Sequence, residues 1–406
     1  MPLKIKKVKK CLLCNNKKLI SLFDLGNLYV SNFVSYKDIF KGTKSKLKLL
    51  FCKKCTLLQL SHLAPQEIMY RRFYWYKSGV TATMREGLKE LFIDCQKNVK
   101  LKKKDVVLDI GANDGTLLKY FKNKKFKTIG CEPAKNLIAE LEKNCNYLMN
   151  SFWSKDRLSR ILKKYKLKKP KLITAIGMFY DLEDPNKFIK DAADSLDDNG
   201  IFVAQLMSLK TMIEKNDLGN ICHEHIEFYS FQSIKYLFEK NGLEIFKISE
   251  NDINGGSYRF YCRKFNSGSI TLPKENVKKM MQGFIQRVKK NKVLTVNFIK
   301  NQVKKGKKVF LYGASTKGNT VLQYYGIDKS MIPYAAERSP FKWGKYTIGT
   351  GIKIISEEDA KKMKPDFFFV TPWGFIKEFI NREKNWLNNG GKFILPFPKM
   401  KIIGKK

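Results

Sequence analysis

Four of the nine cysteines are spaced as metal ligands. They form two pairs, Cys11-x-x-Cys14 and Cys52-x-x-Cys55, with 37 residues between the pairs. Two such pairs supply four thiolates for a tetrahedral zinc ion, and four protein ligands leave no open coordination position for a substrate. The other five cysteines show no comparable pairing. We therefore predict a structural zinc site in an N-terminal segment too short to fold without such a ligand.

A glycine-containing turn follows the apolar segment Val106–Ile110. The sequence of the turn is Gly-Ala-Asn-Asp-Gly, and apolar residues with helical spacing resume after it. This order predicts strand, turn and helix, the first βα unit of a nucleotide-binding α/β sheet. Glycine at position 111 allows a ligand to approach the backbone closely, and the free N–H groups at the start of the helix point at that ligand.

The second predicted strand ends at Glu132, 21 residues after Gly111. A carboxylate at that position can accept hydrogen bonds from both hydroxyls of a ribose. The turn lacks the G-x-G-x-x-G dinucleotide fingerprint, and Asp114 at the helix start suits an ammonium group better than a phosphate. The pattern is similar to the S-adenosylmethionine (SAM) site of class I methyltransferases; the alternative is a βα turn that binds nothing. The predicted cofactor-binding residues are Asp109, Gly111, Asn113, Gly115 and Glu132.

Two of the three histidines lie together in the tripeptide His223-Glu224-His225. Histidine has a pKa near neutrality, and a neighbouring glutamate can orient the ring and raise its basicity, as a general base requires. We therefore predict catalytic roles for these residues. Two alternatives stay open: a histidine pair bonded to the backbone of a loop, and a metal site, which would lack a fourth ligand.

Strands and helices alternate in the central part of the sequence, which predicts a doubly wound sheet that binds ligands at the carboxyl ends of its strands. Two segments at that edge, 177–184 and 220–225, have no obvious packing role. The predicted strands are Val106–Ile110, Thr128–Cys131, Leu172–Ile176, Ile201–Gln205, Glu244–Ile248 and Ser257–Cys262. The predicted helices are Thr116–Phe121, Pro133–Lys143, Lys155–Tyr165, Pro185–Leu196 and Ser230–Asn241.

The C-terminal part of the sequence repeats the strand–turn–helix order. Its turn, Gly313–Gly318, lacks the Lys-Ser/Thr order of a phosphate-binding P-loop. We predict a structural turn; a phosphate held by Lys317 is the alternative. The fold is α/β in five segments: a zinc-binding domain (1–65), a helical linker or lid (66–100), a class I SAM-methyltransferase Rossmann-like domain (101–265), a linking helix (266–300) and a second Rossmann-like domain (301–406). Aromatic residues between 70 and 78 either belong to a core or roof the ligand cleft.

The chain of 406 residues carries a formal net charge of +42. Such a charge is common in nucleic-acid-binding proteins, but only ten of the 79 basic residues are arginine and the lysines are dispersed. We therefore expect no nucleic-acid partner, while a positive field would attract an anionic substrate such as a nucleotide-linked sugar. No apolar run is long enough to span a membrane, and the basic N-terminus lacks the apolar segment of a signal peptide. These features predict a cytoplasmic protein.

Taken together, these motifs resemble the sugar C-methyltransferases, which methylate nucleotide-linked 4-keto-deoxysugars at the carbon beside the ketone. The resemblance covers nearly the whole chain. It implies that Cys11, Cys14, Cys52 and Cys55 hold structural zinc and that Gly111 and Glu132 hold SAM. It also implies that His225 is the base, with Glu224 and Tyr76 nearby. The motifs are D-I-G-A-N-D-G-T, C-E-P-A, H-E-H followed by F-Y-S, N-G-G-S-Y-R at 254–259 and the C-terminal G-A-S-T-K-G-N-T.

Three positions depart from the family pattern. Well-described members have tyrosine where this chain has Cys222, and they have asparagine and histidine in the loop that here runs from Gly177 to Asp181. These changes predict a rebuilt substrate pocket. A C-methyltransferase on a nucleotide-linked sugar is therefore the primary prediction, and an O-methyltransferase on a sugar or related metabolite is the alternative. We expect a monomer or a small homo-oligomer.

Overall fold

The computed structural model describes residues 4–71 and 73–404. Its centre is a seven-stranded sheet with the strand order β13-β14-β11-β10-β7-β8-β9. The strands are β7 (Val106–Ile110), β8 (Lys127–Cys131), β9 (Tyr147–Met149), β10 (Leu172–Ile176), β11 (Ile201–Met207), β13 (Leu243–Asn251) and β14 (Ser257–Lys264). The helices are α2 (Thr116–Asn123), α3 (Ile138–Asn144), α4 (Lys155–Lys164), α5 (Pro185–Ser195), α6 (Leu209–Glu214) and α7 (Phe231–Lys240).

The central strands are nearly continuous apolar runs because helices cover both faces of the sheet. Every residue of β7 is buried, and burying one such aliphatic side chain stabilises the fold by roughly 1.5–3 kcal/mol. Strand β7 pairs in parallel with β10 on one side and β8 on the other. Successive strands are added on one side of β7 up to β9 and on its other side from β10, and open α/β sheets bind ligands at the carboxyl ends of the strands where the strand order reverses in this way.

The N-terminal segment folds into a small antiparallel sheet that borrows a strand from the central domain. The sheet has the order β12-β5-β4-β2, and β12 (Glu227–Phe228) comes directly after the His223–His225 tripeptide. Leu60 also donates a backbone hydrogen bond to Ile226, at 2.9 Å. The zinc-binding segment is therefore attached to the histidine segment. The N-terminal strands are β1 (Lys6–Lys7), β2 (Leu19–Tyr29), β3 (Phe33–Val34), β4 (Lys44–Cys52), β5 (Leu58–Leu60) and β6 (His62–Leu63).

The C-terminal domain contains an eight-stranded sheet with the order β21-β20-β19-β15-β16-β18-β17-β3. Its last strand, β3, comes from the N-terminal segment, where Val34 pairs with Tyr346. The strands are β15 (Val309–Tyr312), β16 (Tyr334–Glu337), β17 (Tyr346–Thr347), β18 (Lys353–Ser356), β19 (Phe367–Val370), β20 (Lys392–Leu395) and β21 (Lys401–Ile403). The helices are α8 (Val277–Lys304), α9 (Thr316–Tyr325), α10 (Glu357–Lys362), α11 (Ile376–Arg382) and α12 (Lys384–Asn388).

Helix α1 (Ala82–Asn98) connects the N-terminal segment to the central sheet, and it confirms the helix expected before residue 100. Its first turn is capped by the hydroxyl of Thr81, which accepts a hydrogen bond from the backbone N–H of Met84. Of the described residues that precede it, Gln66, Tyr70, Tyr74, Tyr76 and Ser78 line the cleft at the carboxyl edge of the central sheet. Among the residues described, no helix combines the length and the apolar character that crossing a membrane requires.

Candidate active site

A cleft of about 460 Å³ lies at the carboxyl ends of β7, β8 and β10. It brings together two groups of side chains that are far apart in the sequence. The glycine-turn group consists of Asp109, Gly111, Asn113 and Glu132. The histidine group consists of Asp181, Asp217, Glu224, His225 and Lys317. The sequence predicted most of both groups, but it did not predict that Asp217 and Lys317 would join them.

Gly111 is required at its position for two reasons. Its φ is +75°, a left-handed conformation that side chains with a Cβ disfavour. A Cβ built there would also lie 2.7 Å from Cγ of Met178, which packs over the turn. The turn is held against the second strand, since the Gly111 N–H donates to the Cys131 carbonyl at 2.8 Å. Gly111 thus leaves room for Met178 at the turn, and both residues line the cleft.

Gly115, a predicted cofactor-binding residue, lies outside the cleft lining. Its φ is +77°, and a Cβ there would lie 2.7 Å from Cβ of Asn144. Gly115 therefore allows the backbone to make the turn, and it allows the start of α2 to lie close to the end of α3.

The carboxylate of Glu132 is buried at the end of β8 and lines the cleft. Its oxygens accept hydrogen bonds from the backbone N–H groups of Asn113, at 2.9 Å, and Ala134, at 2.8 Å. Each oxygen keeps a second lone pair for a ligand hydroxyl. Burial raises the pKa of Glu132, while the two N–H groups favour its charged form. A ribose placed against this carboxylate would fit the predicted role.

Asp109 is also buried at the cleft, at the end of the central strand β7. Its Oδ1 accepts a hydrogen bond from the Thr174 hydroxyl at 2.6 Å. Burial raises the pKa of Asp109 to about 7, although the Thr174 hydroxyl opposes the shift. A hydrogen-bond donor or a positive charge on a ligand would favour the ionised form.

The polar side chains of the turn hold the segment 76–79 over the cleft. The Asn113 amide accepts a hydrogen bond from the Ser78 N–H and donates one to the Tyr76 carbonyl. The carboxylate of Asp114 accepts from the N–H of Gly79 and from Thr116 at the start of α2. Asp114 does not line the cleft, and its carboxylate connects the segment 76–79 to the start of α2. The hydroxyl-bearing ring of Tyr76 lines the cleft.

His225 is buried, lines the cleft and is held in one tautomer. Its Nδ1 lies 2.8 Å from the carbonyl oxygen of Asn220, and a carbonyl can only accept, so Nδ1 carries the proton and Nε2 keeps its lone pair. The ring packs edge-on against Tyr180. Burial, reinforced by the charge of Lys317, holds the pKa of His225 well below its usual value. The ring is neutral and Nε2 can accept a proton.

The group that orients His225 differs from the one expected. The sequence suggested that the adjacent Glu224 would orient the ring, but the backbone of Asn220 does so. Glu224 lines the same cleft, where burial raises its pKa and the Cys222 thiol and the Thr316 hydroxyl favour its charged form. Side chains of adjacent loop residues can point in different directions. The adjacency of Glu224 and His225 in the sequence therefore did not make Glu224 the hydrogen-bond partner of the His225 ring.

The structure places His223 outside the cleft. Its Nε2 donates a hydrogen bond to the carbonyl of Ser45 in β4, at 3.0 Å, and the ring is only 1% exposed. Burial lowers the pKa of His223 to about 4. The geometry therefore gives His223 a structural role, joining the N-terminal sheet to the histidine segment. The predicted catalytic role finds no support in this position.

Asn220 connects the histidine group to the C-terminal domain; the sequence placed it in the segment 220–225 at the ligand edge but gave it no role of its own. Its side-chain oxygen accepts a hydrogen bond from Nζ of Lys317 at 2.7 Å, and its amide donates to Asp217 at 3.0 Å. The second glycine turn thus reaches the cleft, contrary to the expectation of a purely structural turn. The residues of that domain that line the cleft include Ser315, Thr316, Lys317, Thr371 and Trp373.

The four predicted zinc ligands converge. Their sulfur atoms all lie within 4.8 Å of one another, with Cys11 and Cys55 at 3.4 Å and Cys14 and Cys52 at 3.5 Å. Zn–S bonds of about 2.3 Å in a tetrahedron place sulfurs about 3.8 Å apart, so the cluster fits the ion. All four sites are taken by cysteine, and none of these residues lines the cleft. Zinc here supplies structure.

Three family models match consecutive parts of the chain. A zinc binding domain matches residues 11–70, a methyltransferase domain matches 76–248, and a C-methyltransferase C-terminal domain matches 252–398. The chain is 24% identical over 413 residues to the C-methyltransferase NovU of Streptomyces niveus, and the match covers 98% of each protein.

Solved methyltransferase structures resemble slightly less than half of the chain. They include magnesium protoporphyrin IX methyltransferase of Synechocystis PCC 6803 with bound SAH (11% identity, 47% of this chain, 91% of that chain, TM-score 0.36). They also include an S-adenosylmethionine-dependent methyltransferase of Clostridium acetobutylicum (14% identity, 44% of this chain, 91% of that chain, TM-score 0.33).

The α/β sheet, its glycine turn and the matched domains define a methyltransferase that uses S-adenosylmethionine. The order of the three matched domains indicates a family within this class of methyltransferases. The matches to a zinc binding domain and a C-methyltransferase C-terminal domain, with the C-methyltransferase relative, support a sugar C-methyltransferase family with an N-terminal zinc-binding domain.

Proposed function

We propose that this protein methylates a carbon beside the ketone of a nucleotide-diphosphate-linked keto-deoxysugar, with His225 as the general base. One observation carries the proposal: a buried neutral histidine with an available Nε2 shares a cleft with the glycine turn of the methyltransferase domain.

His225 suits the removal of a proton from carbon. The Asn220 carbonyl fixes its tautomer, and it stabilises the imidazolium that forms when Nε2 takes the proton. The low pKa keeps the ring unprotonated before the reaction.

The glycine-turn group would hold SAM. Glu132 would accept hydrogen bonds from the ribose, and the absence of a Cβ at Gly111 would let the ligand pass along the backbone. SAM supplies an activated methyl group bonded to a sulfonium sulfur. The protein's own contribution is to align the donor with the acceptor carbon and to remove a proton from that carbon.

Tyr76 and Tyr180 are candidates for stabilising the enolate. Both rings line the cleft, and a phenolic hydroxyl can donate a hydrogen bond to an oxygen on which negative charge develops. Cys222, which stands where family members have tyrosine, is fully buried and does not line the cleft. The hydroxyl lost at position 222 must therefore be supplied by another residue.

The C-terminal domain would bind the anionic part of the substrate. Helix α9 begins at Thr316 on the cleft wall, with Ser315 as its cap, and a helix N-terminus favours negative charge. Lys317 adds a cation, and the buried hydroxyl oxygen of Thr371 has no hydrogen-bond partner within the described chain. These groups support the binding of a diphosphate at this wall of the cleft. The ring of Trp373, which lines the same wall, offers a surface on which the nucleobase could stack.

The test is the substitution His225→Ala. We expect methyl transfer from SAM to a nucleotide-linked keto sugar to fall by roughly 10²- to 10⁴-fold, the usual contribution of a general base. The dissociation constant for SAM should stay within about twofold, since His225 does not belong to the glycine-turn group. His62→Ala is the matched control, because the third histidine does not line the cleft. A fully active His225→Ala variant would remove the assignment.

A further inference from the structure

Asp181 is a carboxylate on the wall of the cleft, and one of its two oxygens, Oδ1, has no hydrogen-bond partner among the described residues. Asp181 follows β10, and its side chain is 8% exposed. Its Oδ1 is buried. The backbone around it is fixed, because its N–H donates to the Met178 carbonyl and its carbonyl accepts from the Gln66 amide. The carboxylate is therefore held in place.

The surroundings of Asp181 do not neutralise its charge. The groups that act on it are the carboxyl of Glu224, the hydroxyl of Tyr70 and the more distant ammonium of Lys317. The Tyr70 hydroxyl donates to the Glu224 carbonyl at 2.8 Å, and Lys317 is bonded to Asn220. Tyr74 and Tyr180 also face it, with pKa values that burial and the Asp181 charge raise. Burial, followed by repulsion from Glu224, raises the pKa of Asp181.

This local negative charge contrasts with the rest of the chain, which carries a formal net charge of +42. Lysines are available almost everywhere on the protein, yet two carboxylates face each other here with one lysine nearby. A buried carboxylate without a donor is costly. Such a group persists where a ligand supplies the missing donor.

We propose that Asp181 accepts a hydrogen bond from an amino substituent on the ring of the sugar, so that the substrate is an amino keto-sugar. This inference rests on the proposed function. An ammonium group satisfies Oδ1, and its positive charge favours the ionised form of Asp181, which burial and the carboxyl of Glu224 disfavour. A hydroxyl would supply a hydrogen bond without a charge, so an ammonium is the better complement.

The experiment compares two nucleotide-linked keto sugars that are identical except for an amino group or a hydroxyl at one ring carbon. We expect kcat/KM of the native protein to favour the amino sugar by roughly 10- to 100-fold, the range of a hydrogen bond to a charged group. Asp181→Asn keeps the size of the side chain and removes its charge, so the preference should fall to about twofold. Asp198→Asn is the control, since it is the same substitution at an exposed carboxylate that pairs with Lys264 and does not line the cleft.

The outcomes separate this inference from the proposed function. Equal methylation of both sugars by the native protein would overturn the role of Asp181 and leave C-methylation standing. A preference that persists in Asp181→Asn would also overturn it. Methylation of neither sugar, with SAM bound normally, would overturn the proposed function and this inference with it. The comparison on the native protein requires no variant to fold.

Discussion

Loss of zinc should slow methyl transfer although the zinc site lies outside the cleft. The reason is the strand β12, which follows His225 directly and belongs to the N-terminal sheet that the zinc ligands terminate. Two further hydrogen bonds hold the same segment, from Leu60 N–H to the Ile226 carbonyl and from His223 to the Ser45 carbonyl. At about 1 kcal/mol each, these two bonds contribute about 2 kcal/mol to the placement of His225.

A loss of about 2 kcal/mol corresponds to a roughly 30-fold lower rate. We expect Cys55→Ser, which removes one of the four ligands, to lower kcat by about that factor. SAM affinity should change little, because Gly111 and Glu132 belong to β7, β8 and the turns that follow them. The assay combines zinc content, kcat and calorimetric SAM binding on the same preparation.

Readdition of zinc after chelation provides the control. It should restore the native protein and should not restore Cys55→Ser. A zinc-free protein with unchanged kcat would refute the reasoning, since the histidine segment would then be held without the N-terminal sheet. A parallel loss of SAM binding would also refute it, because the damage would then extend to the glycine-turn group.

Two further perturbations test the glycine turn and the buried histidine. Gly111→Ala should weaken SAM binding by roughly tenfold or more, because alanine disfavours a φ of +75° and its Cβ would meet Met178. Gly306→Ala, with a φ of +73° and no atom within 4 Å of the new Cβ, should leave titrated SAM affinity unchanged; equal effects would contradict the assignment. Because the pKa of His223 is about 4 against an ordinary 6.5, the unfolded chain takes up a proton below pH 6.5 and the folded chain does not. Stability should fall by about 3 kcal/mol between pH 6.5 and 4, and the dependence should be weaker in His223→Gln; parallel urea-unfolding curves would contradict this.

The sequence predicted the local elements of the central sheet well. Strands Val106–Ile110 and Leu172–Ile176 have the bounds that were expected, because a buried parallel strand is a continuous apolar run between polar turns. The helix expected from Pro133 begins at Ile138 instead. The carboxylate of Glu132 takes the N–H of Ala134, and a short 3-10 turn precedes the helix.

The connections between domains were not predictable from local patterns. Strands β3 and β12 each have two residues, and each pairs with a sheet that belongs to a different part of the chain. Two residues carry no measurable periodicity, and their partners lie far away in the sequence. The expected domain boundary at residue 65 divides the sequence into successive segments. Strands from before this boundary pair with strands from after it. Its use as a domain boundary stays a prediction, as do the cytoplasmic location and the oligomeric state.

Features of the candidate site that depend on residue type were predictable from the sequence. Features that depend on where a side chain points in the folded chain were not. Four cysteines at knuckle spacing converge as expected. The roles within the histidine tripeptide could not be separated, because the loop turns His223 toward Ser45 and His225 toward the cleft. The entry of Lys317 into the cleft depends on how two domains pack, which a single glycine turn cannot indicate.

Exchange of the substrate's α-proton with solvent tests the role of His225 most directly. The protein is incubated in D2O with a nucleotide-linked keto sugar and S-adenosylhomocysteine, which cannot donate a methyl group, and the sugar is followed by NMR. We predict deuterium at the carbon beside the ketone with the native protein and with His62→Ala, and none with His225→Ala. No exchange with the native protein, together with transfer of a labelled methyl group from SAM to a sugar oxygen, would contradict enolate chemistry at this site.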